Sequence, residues 1–278
     1  MANVLIVGCG GIGCELGQKL VEQGHKVYGL RRDISDIPDG ISPIEADLSN
    51  TKLPFPDNLD YVFYMASAGK HKDVAYYQAY VSGVKHTLKN LQNQSPKRLF
   101  FISSSSVFGQ SEGEKVTEES PTSGSNFSTK RLLEGEELIN ESPFTSTVVR
   151  FGGIYGPGRT HLIDLVQQGK AHCMEDVYSN RIHSEDCVGM LVHLLNLNEK
   201  NPNQVESLYI GVDDEPTLSC EVYEWLAEQL NVANIEHLEP TENSRLMRSN
   251  KRLSNAKIRS TGYAFKYPNY QAGYSELI

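Results

Sequence analysis

Short apolar runs alternate with stretches of helical periodicity over the first two-thirds of this chain. The opening run, Asn3-Val4-Leu5-Ile6-Val7, precedes an amphipathic stretch from Cys14 to Gln23 and a second run, Lys26-Val27-Tyr28-Gly29-Leu30. Further runs lie near residues 43–45, 61–66, 99–103, 147–151 and 208–211. Between them, apolar residues three and four apart predict helices over 75–93, 126–141 and 184–197. Nearly continuous apolar strands separated by helices predict an α/β fold, a doubly wound parallel sheet covered on both faces. From Glu215 the pattern changes to a helix around 220–230, a mixed strand and loop region, a helix near 253–260 and a tail rich in Tyr and Gly. That tail suits a smaller C-terminal cap over a substrate cleft. The expected division is a sheet domain over 1–155, completed by about 184–212, with the cap formed by 156–183 and 213–278.

The first strand runs into Gly8-Cys9-Gly10-Gly11-Ile12-Gly13, so a G-x-G-x-x-G stands between a strand and a helix. In that setting Gly8 permits the tight turn, Gly10 lets backbone approach a pyrophosphate, and Gly13 brings helix and strand together. Gly11 and Ile12 complete the turn, and the pyrophosphate of a dinucleotide meets free N–H groups at the helix N-terminus. After the second strand, where an acid would hold the ribose hydroxyls of NAD, stand Arg31 and Arg32. Two permanently charged, forked donors suit a 2′-phosphate, which predicts NADP(H) over NAD(H). NAD(H) remains the alternative if one arginine is a solvated loop charge and Asp33 pairs locally.

Composition narrows the classes. A net charge of -9 with dispersed basic residues argues against nucleic acid. No stretch approaches the roughly 18 unbroken apolar residues of a membrane span, and the chain opens on a strand rather than a signal sequence, so a cytoplasmic protein is expected. Five cysteines, odd in number and without C-x-x-C spacing, suggest neither a disulfide framework nor zinc, and the histidines lack ligand spacing, so no metal is expected. Glu112, Glu114, Glu118 and Glu119 read as a solvated loop, and Glu134, Glu136 and Glu137 as surface partners of helix cations. Leu132, Leu133 and Leu138 permit a homodimer through helices 75–93 and 126–141, although core packing explains them equally well.

Three further stretches carry a resemblance. They are Phe101-Ile102-Ser103-Ser104-Ser105-Ser106-Val107-Phe108-Gly109, then Arg150-Phe151-Gly152-Gly153-Ile154-Tyr155-Gly156-Pro157-Gly158-Arg159, then Asn180-Arg181-Ile182-His183-Ser184-Glu185-Asp186. With the glycine turn, they make residues 1–212 resemble the extended short-chain dehydrogenase/reductase family of NAD(P)-dependent epimerases and dehydratases, with a tail like that of an atypical branch. The resemblance implies a Rossmann sheet and a small hydroxyl- or carbonyl-bearing substrate, such as a sugar nucleotide. It places Asp47, with neighbouring Leu48, at the adenine, and Ala66 beside the cofactor. It implies that Ser104 binds the reacting oxygen and that Lys130 holds the nicotinamide ribose and tunes a tyrosine four residues earlier.

That tyrosine is absent, because Asn126 and Phe127 occupy its place and neither exchanges protons near neutral pH. Another phenol would have to serve, with Tyr155, at a strand exit, as the first candidate and Tyr64 and Tyr80 as others. His183 is a second kind of substitute, or else a hydrogen-bonded anchor. Ser105, Asn126 and His183 are the expected substrate contacts. Two functions stay open: an oxidoreductase or epimerase-like enzyme, and a cofactor-binding redox sensor without turnover.

Overall fold

The computed structural model describes residues 1–238 and 249–278, so part of the mixed region after residue 230 lies outside the described residues. The chain begins with β1 (Asn3–Val7), α1 (Gly11–Glu22), β2 (Lys26–Arg31), β3 (Ile41–Glu45), β4 (Tyr61–Tyr64) and α2 (Asp73–Tyr77). A π-helical turn (Gln78–Ser82) leads into α3 (Gly83–Leu91), β5 (Arg98–Ser104), a 3-10 turn (Ser105–Val107), β6 (Glu114–Val116), α4 (Phe127–Asn140) and β7 (Ser146–Phe151). Next come β8 (Gly153–Tyr155), α5 (His161–Gln167), β9 (Lys170–Ala171), β10 (Tyr178–Ser179), β11 (Arg181–His183), α6 (Ser184–Lys200) and β12 (Leu208–Gly211). The chain closes with β13 (Thr217–Leu218), α7 (Ser219–Gln229), β14 (Glu236–His237), β15 (Lys251–Leu253), α8 (Ala256–Ser260) and α9 (Tyr270–Tyr274).

Seven strands form one sheet in the order β12-β7-β5-β4-β1-β2-β3. β1 pairs in parallel with β2 and β4, β2 with β3, and β4 with β5. Val4 to Val7 and Tyr61 to Tyr64 are wholly buried, as the apolar runs require when both faces of a sheet are covered. The chain winds outward from β1 to β3 and then returns to β4. The crevice at the carboxyl ends of β1 and β4 is therefore the switch point where such sheets bind ligands.

Two compact units divide the chain. The first is Met1–Val107, Ser123–Arg150 and Val188–Tyr209; the second is Phe108–Thr122, Phe151–Cys187 and Ile210–Ile278. In the first, Leu5, Val62, Leu99 and Phe101 of the sheet pack against Val84 and Leu91 of α3 and Ile139 of α4. In the second, Tyr155, Ile163 and Val166 pack against Val222, Tyr223 and Leu226 of α7 and Tyr270 and Tyr274 of α9. A Cys173–Cys220 disulfide joins that second core, which corrects the expectation of none. The partners are 47 residues apart, a pairing that cysteine spacing does not disclose.

Two glutamates also depart from expectation. Glu136 is buried instead of pairing at the surface: it accepts hydrogen bonds from Ser103 Oγ at 2.6 Å and from Arg150 Nε at 3.0 Å and Nη2 at 2.5 Å. Removing either charge would strand the other, at a cost of about 3–5 kcal/mol. Glu118 is likewise buried and accepts the Ile210 N–H at 2.9 Å.

The helix predicted over 75–93 is interrupted by the π turn for a local reason. Tyr64 reaches from the end of β4 and donates its hydroxyl proton to the Ala79 carbonyl, and a side chain entering the ladder widens a helix in this way. On the other side, α4 approaches the same turn so closely that a Cβ on Gly135 would stand 2.5 Å from the Tyr80 carbonyl oxygen and 3.0 Å from the Phe101 ring. Gly135→Ala should gain up to about 1 kcal/mol of helix propensity and lose about 1–3 kcal/mol to overpacking. The net expectation is a lower urea midpoint, and an unchanged or higher one would show that α4 can move away from the turn.

Candidate functional site

The glycine turn follows directly from β1. Gly8 adopts a φ of +86°, and its N–H and that of Cys9 both donate to the Leu30 carbonyl at 2.9 Å, tying the turn to the end of β2. A Cβ on Gly8 would collide with the backbone of Ala66, and one on Gly13 would lie 3.2 Å from Ile6 and 3.3 Å from the Gly8 carbonyl. One on Gly10 would meet nothing within 4 Å. The turn is thus closed on its sheet side and bare on the other. No side chain caps α1 and no acid lies in its first turn, so the N–H groups of Gly11, Ile12 and Gly13, which lack intrahelical acceptors, remain available to an anion. This cradle fits a dinucleotide pyrophosphate.

Arg31 ends β2, beside the turn. It is half-buried and reaches Asp36 only at 3.5 Å, while Arg32 is exposed. Asp33 does not pair locally with either in a hydrogen bond; its Oδ1 accepts the Ser35 N–H at 3.0 Å. Asp47 Oδ1 accepts the Ser49 N–H at 2.8 Å, and that bond holds its carboxyl below the usual range. The Leu48 carbonyl is bound by His86 Nδ1 at 2.7 Å, which fixes this loop to α3.

Farther along the same unit, Ser104 ends β5, is half-buried and accepts the Ser106 N–H at 3.2 Å. Ser105 is buried, and Ser103 is committed to Glu136. Asn126 is the N-cap of α4: its side chain accepts the Thr129 N–H at 3.1 Å and the Ser128 hydroxyl at 2.5 Å, within a capping box. Lys130 stands exposed in the first turn that this cap begins, its N–H donating to the Asn126 carbonyl at 3.0 Å. Phe127 packs beside His71 and Tyr76, with ring centroids 4.8 and 5.5 Å away, and Tyr76 lies 5.5 Å from Tyr80. Tyr80 bonds to the backbone of Ala68, just past the end of β4, and burial followed by the nearby Tyr76 pushes its phenol up to about 12. Tyr64 is sealed in the core.

In the second unit, Tyr155 is buried rather than poised at an open strand exit. Its ring stacks on Tyr274 with centroids 4.3 Å apart, its hydroxyl packs against Gly273, and burial raises its pKa far above the ordinary phenol value. Such a phenol packs a core and is poorly suited to exchanging protons. His183 is also buried, between Tyr155 at 5.2 Å and Tyr267 at 4.0 Å, and burial lowers its pKa. Its Nδ1 accepts the Glu185 N–H at 3.3 Å, so the ring anchors the start of α6. Asp186, one residue on, accepts the N–H groups of Lys266 and Tyr267 and the Tyr263 hydroxyl. Among the described residues no helix is long and apolar enough to cross a membrane.

Comparison with known proteins agrees with this geometry. A model of the NAD dependent epimerase/dehydratase family matches residues 4–206. A solved Methylobacillus flagellatus protein, provisionally described as an NAD-dependent epimerase/dehydratase, is 31% identical, with 99% of this chain and 97% of that one covered and a TM-score of 0.80. A conserved Silicibacter pomeroyi protein of unknown function is 23% identical over 100% and 98% of the two chains, with a TM-score of 0.80. The UDP-glucuronic acid 4-epimerase of Bacillus cereus, solved in complex with NAD, shares the fold at 18% identity, over 95% and 93%, with a TM-score of 0.79. Among curated proteins none matches the chain.

One acid of the second unit was not anticipated. Asp213 is buried, its Oδ1 accepts the Glu215 N–H at 3.3 Å, and its Oδ2 has no hydrogen-bond partner among the described residues. Burial outweighs that bond and the nearby Arg181 guanidinium and lifts the carboxyl from 3.8 to about 8. An acid that is harder to ionise when folded costs nothing well below its ordinary pKa. The cost grows as pH rises through that value and is full above the folded pKa. Asp213→Asn, which keeps the Oδ1 acceptor, should therefore raise Tm clearly near pH 9 and hardly at all near pH 4. Equal shifts at both pH values would contradict a neutral buried carboxyl.

Proposed function

This chain belongs to the NAD-dependent epimerase/dehydratase family, and we propose that it is an oxidoreductase or epimerase-like enzyme acting on a small hydroxyl- or carbonyl-bearing metabolite of the sugar-nucleotide kind. The observation that carries the reading is the cradle at the switch point, closed by Gly8 on Ala66 and open at Gly10. When bound there, a pyridine dinucleotide would supply hydride exchange with a carbinol or carbonyl carbon.

NADP is the preferred form in this proposal. The support is local: β2 ends in Arg31, whose ion pair among the described residues is a long contact with exposed Asp36, and Arg32 beside it is exposed. Asp33, the next acid along the chain, spends an oxygen on Ser35. Arg31→Asp should weaken NADP at least tenfold while leaving NAD within about threefold, as read by fluorescence titration. Equal loss for both nucleotides would remove Arg31 from the choice between them.

Ser104 is assigned to the reacting oxygen of the substrate and Lys130 to the ribose next to the nicotinamide. The proton normally exchanged by a tyrosine at position 126 is assigned to Tyr80. Tyr64 and Tyr155 are sealed in cores, whereas Tyr80 adjoins the loop that leaves β4 and sits on a π turn, a distortion that recurs at functional sites. Its phenol is raised by burial in the free protein, and a cation held beside it would lower it toward working pH. Ser105, Asn126 and His183 receive no reacting role, since the first and last are buried and Asn126 caps a helix.

The second reading, a cofactor-binding sensor without turnover, draws on the absence of a tyrosine at position 126. One experiment separates the two: a screen of UDP-sugars and small carbonyl compounds that follows NADPH absorbance and product by chromatography. Turnover should fall about 10²–10⁴-fold in Tyr80→Phe with cofactor affinity little changed. Turnover untouched by that change removes Tyr80 from the chemistry, and nucleotide binding with no turnover on any compound favours the sensor.

A further inference from the structure

The second unit gathers two sulfurs and an imidazole. The donor atoms of Cys173, Cys220 and His237 all lie within 4.8 Å of one another. Three separate stretches of chain supply them. Cys220 lies in the first turn of the eleven-residue α7, where the helix dipole favours a thiolate. His237 belongs to β14, which pairs in parallel with β9 in the register His237 to Ala171, fastened by Leu238 N–H to the Ala171 carbonyl at 2.9 Å. Cys173 lies two residues past the end of β9. Its Sγ stands 3.6 Å from His237 Nδ1.

That separation is informative. A tetrahedral zinc ion with bonds of about 2.3 Å to sulfur and 2.0–2.1 Å to nitrogen holds those two atoms about 3.6 Å apart, whereas the two sulfurs, bonded to each other here, would have to part to about 3.8 Å. Thiolate and imidazole together form a soft donor set that suits zinc over magnesium or calcium. Both cysteines are buried while His237 is exposed, so the site is shielded at its sulfurs and open at its nitrogen, which leaves an entry path.

The geometry points to a zinc-class metal site at Cys173, Cys220 and His237, with the Cys173–Cys220 disulfide as its oxidised, metal-free form. A thiol-class reductant would convert one form to the other: the disulfide takes up two electrons and two protons, and two reductant thiols give them up as they join in a disulfide. The ion then displaces the two cysteine thiol protons and binds both thiolates and the neutral His237 ring. In this reading the site ties the segment after β9 to α7 in either state, by a covalent bond when oxidised and through the ion when reduced, and the ion alone adds β14 to the tie.

The test uses the full chain. It is reduced with dithiothreitol, freed of reductant without air, titrated with Co²⁺ and then with Zn²⁺, and its bound zinc is measured by elemental analysis. The expected result is a sulfur-to-cobalt charge-transfer band with tetrahedral d–d bands, displaced by zinc at one ion per chain. Unreduced protein should show neither signal. His237→Ala should weaken zinc by at least the roughly tenfold that loss of even an outer partner costs, and Cys173→Ser with Cys220→Ser should abolish the band while circular dichroism reports an intact fold. Free Cys9, Cys14 and Cys187 serve as internal controls, since a band that survives in the double variant arises from them. The proposal is overturned if the reduced chain binds no more zinc than the double variant, or if the disulfide resists reduction in the native protein.

Discussion

Where β1 and β4 diverge, two stretches of backbone meet with no side chain between them. Gly8 turns against Ala66 so tightly that even a methyl group would not fit, and the functional reading of the first unit depends on that contact. It sets the depth of the crevice at the switch point and aims the start of α1 across it. It also draws the turn toward the Leu30 carbonyl and hence toward Arg31 at the end of β2. In the proposed site, recognition of the pyrophosphate and of the ribose end would therefore be linked mechanically, because the turn is bonded to the strand that ends in Arg31.

A second anchor lies on the other side of the first unit. Glu136, Arg150 and Ser103 join α4 to β7 and β5 through three hydrogen bonds in a buried setting. The helix that begins at Asn126 and Lys130 is thereby held against the sheet by charge as well as by Ile139 and Leu132. Gly135 allows α4 to approach the π turn, so Lys130 and Tyr80 belong to neighbouring, mutually braced elements. A buried ion pair adds little to stability compared with an apolar replacement. Its effect here is to fix position.

Much of this was legible in the sequence. The continuous apolar runs announced buried parallel strands, and the glycine spacing announced a turn whose close contacts the structure contains at Gly8 and Gly13. The residues that misled share one property: their surroundings are supplied from far along the chain. Glu136 reads as a surface residue until Arg150 is brought beneath it, and Glu118 until Ile210 presents an amide. Cys173 and Cys220 carry no spacing signal, and Tyr155 looks like a residue at a strand exit until α9 closes over its ring. Asp213 gave no local sign at all, because burial alone makes it unusual. The mid-helix π turn was hidden for the same reason, since its cause is the Tyr64 hydroxyl from another element.

Asn126 shows what an asparagine four residues before Lys130 does for the helix start. The side chain at this position closes the first turn of α4 from an extended backbone, accepting one amide and one hydroxyl. A phenol has no acceptor short enough to reach that amide, so grafting tyrosine here would fray the helix start by about 1 kcal/mol and loosen Lys130 with it. Proton exchange by a tyrosine at this position could not be installed by a point replacement alone; a redesign would have to find the helix another cap first.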